Sequence, residues 1–263
     1  MPKLKIIINC GPCEPYIAHC LDSVRQQTYT EWEAYVTVDG CKDRTYQKAL
    51  QARGADRRIR ITRNKWRMFS LWNLIQAIRR SKAAPEDIIV NLDGDDWLAR
   101  VDALEIIAET YSRYNCWVTY GSWISNVVDS KGRTYGMWPA YPEGTSEFRK
   151  IRWLATAVRT WKAWLWGKVD DRDLRDSTGR YYRVSEDQAV MLPLLEMSGT
   201  GKARHIPEAL MVYNQLNPQA AGLHMAEEML RNAIHLERQR PYNRLPTVTD
   251  SRPRTEDNCE NRV

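Results

Sequence analysis

Residues 88–97 read Ile88-Ile89-Val90-Asn91-Leu92-Asp93-Gly94-Asp95-Asp96-Trp97, a β-branched run that stops abruptly in three carboxylates around one glycine. The run has the length and composition of a buried strand. In a parallel α/β sheet, ligands sit outside the carboxyl ends of the strands, so these acids are expected at the mouth of a cleft. Three close carboxylates repel one another unless a cation joins them, and an oxygen-only set suits Mg²⁺ or Mn²⁺ better than zinc. The stretch points to a divalent-metal and diphosphate site. The simpler alternative, Asp96 capping a helix that begins near Trp97, accounts for one acid and not for three.

At 263 residues, with 43% hydrophobic and 27% charged residues, the chain can bury a core as one large α/β domain. No segment approaches a membrane span, and Met1-Pro2-Lys3-Leu4 runs straight into a strand with no signal-peptide core, so a cytoplasmic protein with no integral membrane contact is expected. Its six cysteines are then expected as free thiols. Cys10-Gly11-Pro12-Cys13 resembles the thioredoxin active site, but only one strand precedes it here, and a pair of thiols in a nucleotide-site loop is the better reading. The net charge of +6 is concentrated in residues 149–183, which hold ten Lys or Arg against four Asp and also Trp153, Trp161, Trp164 and Trp166. Cations with interleaved indoles are what a polyanion-binding surface needs. A solvated face beside core tryptophans is the structural alternative.

Along the chain, residues 5–9 read as a strand and residues 16–27 as a helix with Ile17, Leu21 and Val24 on one face. Residues 32–38 form a second strand ending in Asp39-Gly40-Cys41-Lys42-Asp43, and residues 58–62 a third. Leu71, Leu74, Ile75 and Ile78 mark a helix, and the acidic strand follows. This alternation predicts a doubly wound sheet. Residues 57–67 carry six basic residues and no acid, a positive loop that either holds phosphates or is solvated. Beyond a helix over residues 101–114 the pattern shifts to short strands at 117–120 and 124–128 and a hairpin turn. A helix starts at Ser185-Glu186-Asp187-Gln188, two short strands lie within residues 202–213, and residues 227–238 are helical. From residue 240 onward a disordered tail is expected.

Taken together, these motifs resemble the family-2 glycosyltransferases with the GT-A fold. Asn9 and the segment from Pro15 to Tyr29 are similar to that family's first strand, loop and helix. Trp32-Glu33 through Val38-Asp39-Gly40-Cys41-Lys42-Asp43-Arg44-Thr45 is similar to its second strand and Asp-Asp-Gly-Ser loop, with Val38 in place of the first Asp. Asp93-Gly94-Asp95 matches the DxD element, and Glu186-Asp187 matches a late Glu-Asp pair. The resemblance covers residues 4–215, and the order of the motifs is more specific than any one of them.

It implies a GT-A doubly wound mixed sheet in a single domain over residues 1–239, with a nucleotide-sugar half (1–115) and an acceptor-side half (116–239), followed by the tail at 240–263. It also implies inverting sugar transfer from a nucleotide-diphosphate donor, a UDP-sugar being expected, with Mn²⁺ or Mg²⁺ as cofactor. On this resemblance Asn9, Gly11, Glu14, Asp39, Asn73 and Asp93 would line the donor site, and Asp95, Asp93 and His224 would hold the metal. Asp187 would take the acceptor proton, with Glu186 as second choice. Val38 cannot accept a hydrogen bond from a base, and residues 63–73 match the family pattern only loosely. Among stand-alone members are enzymes that glycosylate hydroxymethylated pyrimidines in DNA. The basic, Trp-rich window favours DNA as acceptor, through Trp153, Trp161, Arg159 and Lys162. A glycan acceptor is the alternative, and a non-catalytic nucleic-acid-binding module is the second.

Overall fold

The computed structural model describes residues 2–137 and 139–247. Its first half alternates strand and helix: β1 (Leu4–Cys10), α1 (Ile17–Arg25), β2 (Trp32–Asp39), α2 (Thr45–Arg53), β3 (Ile59–Asn64), α3 (Ser70–Ser81) and β4 (Ile88–Asp93). The four strands are parallel in the order β3-β2-β1-β4. The chain winds outward from β1 to β3 and then crosses back to place β4 on the other side of β1. That reversal is the switch point at which such sheets bind ligands, and the register sets Asn9 opposite Asp93 there.

The second half adds β5 (Trp97–Leu98), α4 (Ala103–Tyr114), β6 (Val118–Val128), β7 (Thr134–Met137), β8 (Arg159–Lys162), α5 (Ala163–Trp166), α6 (Glu186–Lys202), β9 (Ala203–Tyr213), α7 (Ala221–His224) and α8 (Ala226–Arg238). These strands extend the same sheet as β4-β8-β6-β9-β5, with β7 paired to β6. β8 runs antiparallel to both β4 and β6, and β9 runs parallel to β6. The sheet is therefore mixed, and both halves of the chain share it.

Two apolar layers cover its faces. One joins Ile6, Ile8, Val36 and Val90 to Ile17, Leu21 and Val24 of α1 and to Leu104 and Ile107 of α4. The other joins Ile7, Ile89 and Trp161 to Leu71, Leu74, Ile75 and Ile78 of α3 and to the buried length of α6. Residues 189–199 of α6 are buried on every side, so that helix is buried all round rather than amphipathic, with Glu196 as a buried charge within it. Arg149 reaches it from the segment between β7 and β8 and pairs with Glu196 through 2.7 and 3.0 Å contacts in a dry setting.

Several elements differ from the sequence reading. At Trp97 the alternative of a helix capped by Asp96 gives way to a two-residue strand, because Trp97 pairs with Val212 of β9. The two short strands expected at 117–128 are one, β6, and those expected at 202–213 are also one, β9. The pair is kept together by register shifts at Gly121 and Ser122 that local pattern does not reveal. Residues 241–247 of the expected disordered tail are ordered. The Leu245 amide donates to the Met197 carbonyl, and Tyr242 donates from its amide to Glu196 and from its hydroxyl to Asp173. The rest of that tail lies outside the described residues. Among the described residues, no helix is long and apolar enough to cross a membrane.

Candidate active site

A cleft of about 290 Å³ opens at the carboxyl ends of β1, β2 and β4, and its walls include Asn9, Gly11, Asp39, Asn73, Asp93 and Asp95. The acidic turn is held from below. The Gly94 amide donates to the Asn9 carbonyl at 2.8 Å, and a Cβ on Gly94 would fall 2.4 Å from the Cys10 sulfur. Cys10 and Cys13 line the same cleft as buried, free thiols, and the remaining described cysteines are also free. A hydrogen bond with Cys13, and then burial, push the Cys10 thiol up, which fits packing and not nucleophilic work.

Asp39 is buried and already engaged. Its Oδ1 accepts from the Met68 amide at 2.7 Å and from Asn64 Nδ2 at 2.8 Å, and its Oδ2 accepts from the Phe69 amide at 2.7 Å. Asn64 Nδ2 also donates to Asn73 Oδ1 at 2.7 Å. Asp39 and Asn73 thus brace the loop between β3 and α3, which carries Arg67, Phe69 and Ser70 into the cleft. Gly40 faces that loop with a φ of +64°, and a Cβ there would lie 2.6 Å from the Arg67 nitrogen. Asn9 donates to Ser70 Oγ at 3.3 Å, while its own Oδ1 is buried with no partner. A buried acceptor left open in a cleft wall is a place for a ligand's donor.

The far wall comes from the second half. α6 begins there with Ser185 in the left-handed region at φ 65°, bringing Glu186 and Asp187 beside the acidic turn. Arg159, the first residue of β8, meets Asp187 at 3.5 Å. Asp96 is buried and accepts from the Asn214 amide at 2.8 Å, and Asp95 accepts from Asn217 Nδ2 at 2.8 Å. Six carboxyl groups therefore line one cleft, Asp39 on the nucleoside side and Asp93, Asp95, Asp96, Glu186 and Asp187 around the acidic turn. Burial first, then the Glu186 and Asp95 charges, raise Asp93 to about 7. Burial and the neighbouring acids Asp93 and Asp95 push Asp96 upward, and burial and Asp187 push Glu186 the same way. Such a cluster is relieved by a cation. Among the described residues, no three His, Cys, Asp or Glu side chains form a closed metal cage. The oxygen donors present fit a hard divalent ion held by one or two carboxylates and completed by phosphates of a bound substrate.

Other expected site residues lie elsewhere. Glu14 is outside the cleft lining, tied to the Arg44 amide and guanidinium at 2.9 and 2.8 Å. His224 is also outside it, with Nε2 2.8 Å from the Pro218 carbonyl, an oxygen that can only accept, so this nitrogen carries a proton and no free lone pair. The expected basic, aromatic acceptor surface is largely core and ion pairs. Trp161 is fully buried, Trp153 packs partly buried against the core, and Lys162 meets Glu86 at 2.6 Å. β8 and α5 pack Trp161, Trp164 and Trp166 against the core, Trp161 beside Trp166 and Trp164 beside Trp117. Of that expected set only Arg159 enters the cleft, as a partner of Asp187. Sequence reading did not name Ser70, Arg183, Asn214 and Asn217 as site residues, and had Arg67 only within a positive loop that holds phosphates or is solvated. The run Asn214-Gln215-Leu216-Asn217-Pro218 just past a strand was the available signal for Asn214 and Asn217.

Residues 6–167 match the model of Glycosyl transferase family 2. Among solved structures, the chain resembles S. aureus TarS 1-349 in complex with UDP, at 16% identity and a TM-score of 0.60, covering 89% of this chain and 65% of that one. A UDP-GlcNAc complex of that fragment gives 15% identity and a TM-score of 0.58, covering 81% and 58%. The mannosyltransferase PcManGT from Pyrobaculum calidifontis, in complex with GDP-Man and Mn²⁺, gives 15% identity and 0.55, covering 89% and 62%. The chain thus spans somewhat under two thirds of these proteins, and at such identities the likeness is one of fold. No curated protein gives a significant sequence match.

Proposed function

The chain belongs to glycosyl transferase family 2, and on that premise we propose that its cleft transfers a sugar from a nucleoside diphosphate to an acceptor hydroxyl, with inversion at the anomeric carbon. The observation that carries this reading is the convergence of Asp93, Asp95, Asp96, Glu186 and Asp187 at the switch point of the sheet. Asp95 with Asp93 would hold Mn²⁺ or Mg²⁺, which when bound supplies Lewis-acid stabilisation of the leaving diphosphate. Asn9 offers its open Oδ1 to a donor hydroxyl or amide, and the loop braced by Asp39 and Asn73 sets the nucleoside side of the cleft. Asp187 takes the proton from the acceptor hydroxyl as its oxygen bonds to the anomeric carbon and the bond to the diphosphate breaks. Arg159, paired with Asp187, orients that carboxylate, and Glu186 flanks it.

For the acceptor, the argument from residues 149–183 is gone, because its tryptophans and lysine are used within the fold. A polyanion such as DNA with hydroxymethylated pyrimidines keeps one supporting observation. The loop before α3 presents Lys65 over Trp66, which is 69% exposed, and Arg67 and Arg183 reach the cleft. Cationic groups beside an open indole suit phosphates and stacked bases. A saccharide acceptor needs no such lip. The test is an incubation with UDP- and GDP-sugars and Mn²⁺, offered hydroxymethylated DNA, unmodified DNA and oligosaccharides, with products read by mass. A sugar-sized gain on one acceptor class, lost in Asp187→Asn and Asp95→Ala, supports transfer and names the acceptor. Absence of transfer and of donor hydrolysis across the panel overturns the reading. DNA retention that survives Asp95→Ala with no turnover in the wild type favours a binding module instead.

A further inference from the structure

The segment that follows β9 crosses the acidic turn and is stitched to it at two points. The Asn214 amide donates to Asp96 Oδ1 at 2.8 Å, and Asn217 Nδ2 donates to Asp95 Oδ2 at 2.8 Å. Asn217 is buried, only 6% exposed. The same nitrogen donates at 3.4 Å to the carbonyl of Pro12, in the loop that follows β1 and lines the cleft. A further stitch lies beside it, where the Tyr16 hydroxyl donates to the Leu216 carbonyl at 3.0 Å. Asn217 thus joins the acidic turn to the nucleoside-side loop, and Gln219 and Ala220, just beyond it, line the cleft as well.

Its amide is oriented in one way. Asn217 Oδ1 accepts from the Gln219 amide at 3.0 Å, so the nitrogen is the end that faces Asp95. The Oδ1 contact is an Asx-turn ahead of Pro218, and an aspartate would form it equally well. That turn accounts for one end of the side chain and leaves the other without a reason. Beside Asp95 an asparagine does two things that an aspartate cannot. It adds no further charge to a cleft already lined by six carboxyl groups, and it donates a hydrogen bond to one of them. With Oδ2 held in this way, the Asp95 carboxylate is fixed in orientation, and no hydrogen bond reaches its Oδ1 among the described residues. One oxygen is tethered and the other is uncommitted.

From this arrangement we infer that Asn217 is a positioning residue for the metal site: it holds Asp95 by one oxygen so that the other is presented to the divalent ion. Hydrogen-bond partners of ligating carboxylates set metal affinity by about 10- to 100-fold. The inference rests on the assignment of Asp95 to the metal, and is independent of which acceptor the cleft serves.

The test measures Mn²⁺ binding to the full chain by electron paramagnetic resonance of the free ion, with UDP present and no acceptor, so that turnover plays no part. Asn217→Ala should bind Mn²⁺ about tenfold or more weakly than the wild type. Asn217→Ser keeps a side-chain oxygen for the turn to residue 219 but is too short to reach Asp95, and should be weakened alike. Tyr16→Phe removes the neighbouring stitch without touching Asp95, and should bind Mn²⁺ as the wild type does. Thermal unfolding in the absence of metal shows that each variant is folded, and Asn217→Ser carries the test if Asn217→Ala is not. Unchanged or tighter Mn²⁺ binding in Asn217→Ala overturns the proposal, as does wild-type affinity in Asn217→Ser, which would leave the turn as the whole role of the residue. Equal weakening in Tyr16→Phe also overturns it, by assigning the effect to order in the segment and not to the contact with Asp95. Mn²⁺ binding that survives Asp95→Ala rejects Asp95 as a ligand and the inference with it, while UDP titrated alone reports separately whether the nucleotide site stands.

Discussion

A methyl group on Gly94 would sit 2.4 Å from the Cys10 sulfur and 3.2 Å from the Asn9 carbonyl oxygen, so the acidic turn has no room for any other residue. Gly94→Ala should therefore lose turnover and destabilise the chain by about 1–3 kcal/mol, and Cys10→Ala on that background should restore part of the stability, since the two sites share one clash. Additive effects in urea unfolding of the two single variants and the double would refute the contact. Asp93 supplies a second prediction. Burial first, then Glu186 and Asp95, raise it to about 7. Between its ordinary value near 4 and about 7, the folded chain keeps a proton that the unfolded chain has lost, so folding is favoured at the lower pH and stability falls as pH rises through that window. Asp96 and Glu186 move in the same direction and reinforce it. With divalent ions chelated, melting at about pH 5 should occur above melting at about pH 7.5, and Mn²⁺ should flatten the difference. A chelated protein that melts higher at the alkaline end contradicts the assignment of these carboxyl groups to one buried cluster.

Two elements hold the cleft walls at a distance from the chemistry. Glu196 in the middle of α6 pairs with Arg149, their side chains only 2% and 3% exposed. Glu196→Ala should cost about 3–5 kcal/mol in urea unfolding, because it strands a buried guanidinium, whereas Arg149→Met combined with Glu196→Leu should cost far less. The loop before α3 hangs on Asp39, which takes two hydrogen bonds from its Met68 and Phe69 amides and one from Asn64 at the end of β3. Asp39→Ala should raise the donor KM by about tenfold or more with a smaller effect on kcat, as expected when binding geometry and not transition-state contact is lost. Equal losses in both would argue that Asp39 touches the reacting groups. Elements of this kind were legible to different degrees. The runs Ile6-Ile7-Ile8 and Ile88-Ile89-Val90 announced buried parallel strands, and Leu71, Leu74, Ile75 and Ile78 gave α3 its buried face, because local pattern and burial agree there. β6 and β9 looked broken because their register shifts are properties of the pair and leave no mark on either strand alone. Residues 241–247 looked disordered because their order comes from Glu196, Met197 and Asp173, which lie far away in sequence.

At the scale of the molecule, one mixed sheet carries both a parallel half that ends in Asn9, Asp39 and Asp93 and a second half that returns Glu186, Asp187, Arg159, Asn214 and Asn217 to the same opening. The carboxylates could be listed from sequence, since strand ends and an acidic helix start mark themselves. Charge and tryptophan content could not be turned into a surface, since composition does not say which way Trp161 points or that Lys162 is matched by Glu86. The account rests on this opening being a nucleotide-sugar site, and the most direct measurement is calorimetric titration of UDP and GDP into the chain with and without Mn²⁺, repeated on Asp95→Ala. Saturable binding of a nucleoside diphosphate that tightens by about tenfold or more with Mn²⁺, and loses that gain in Asp95→Ala, is the expected result. Binding of neither nucleotide in the presence of Mn²⁺, or binding indifferent to both Mn²⁺ and Asp95, would contradict it.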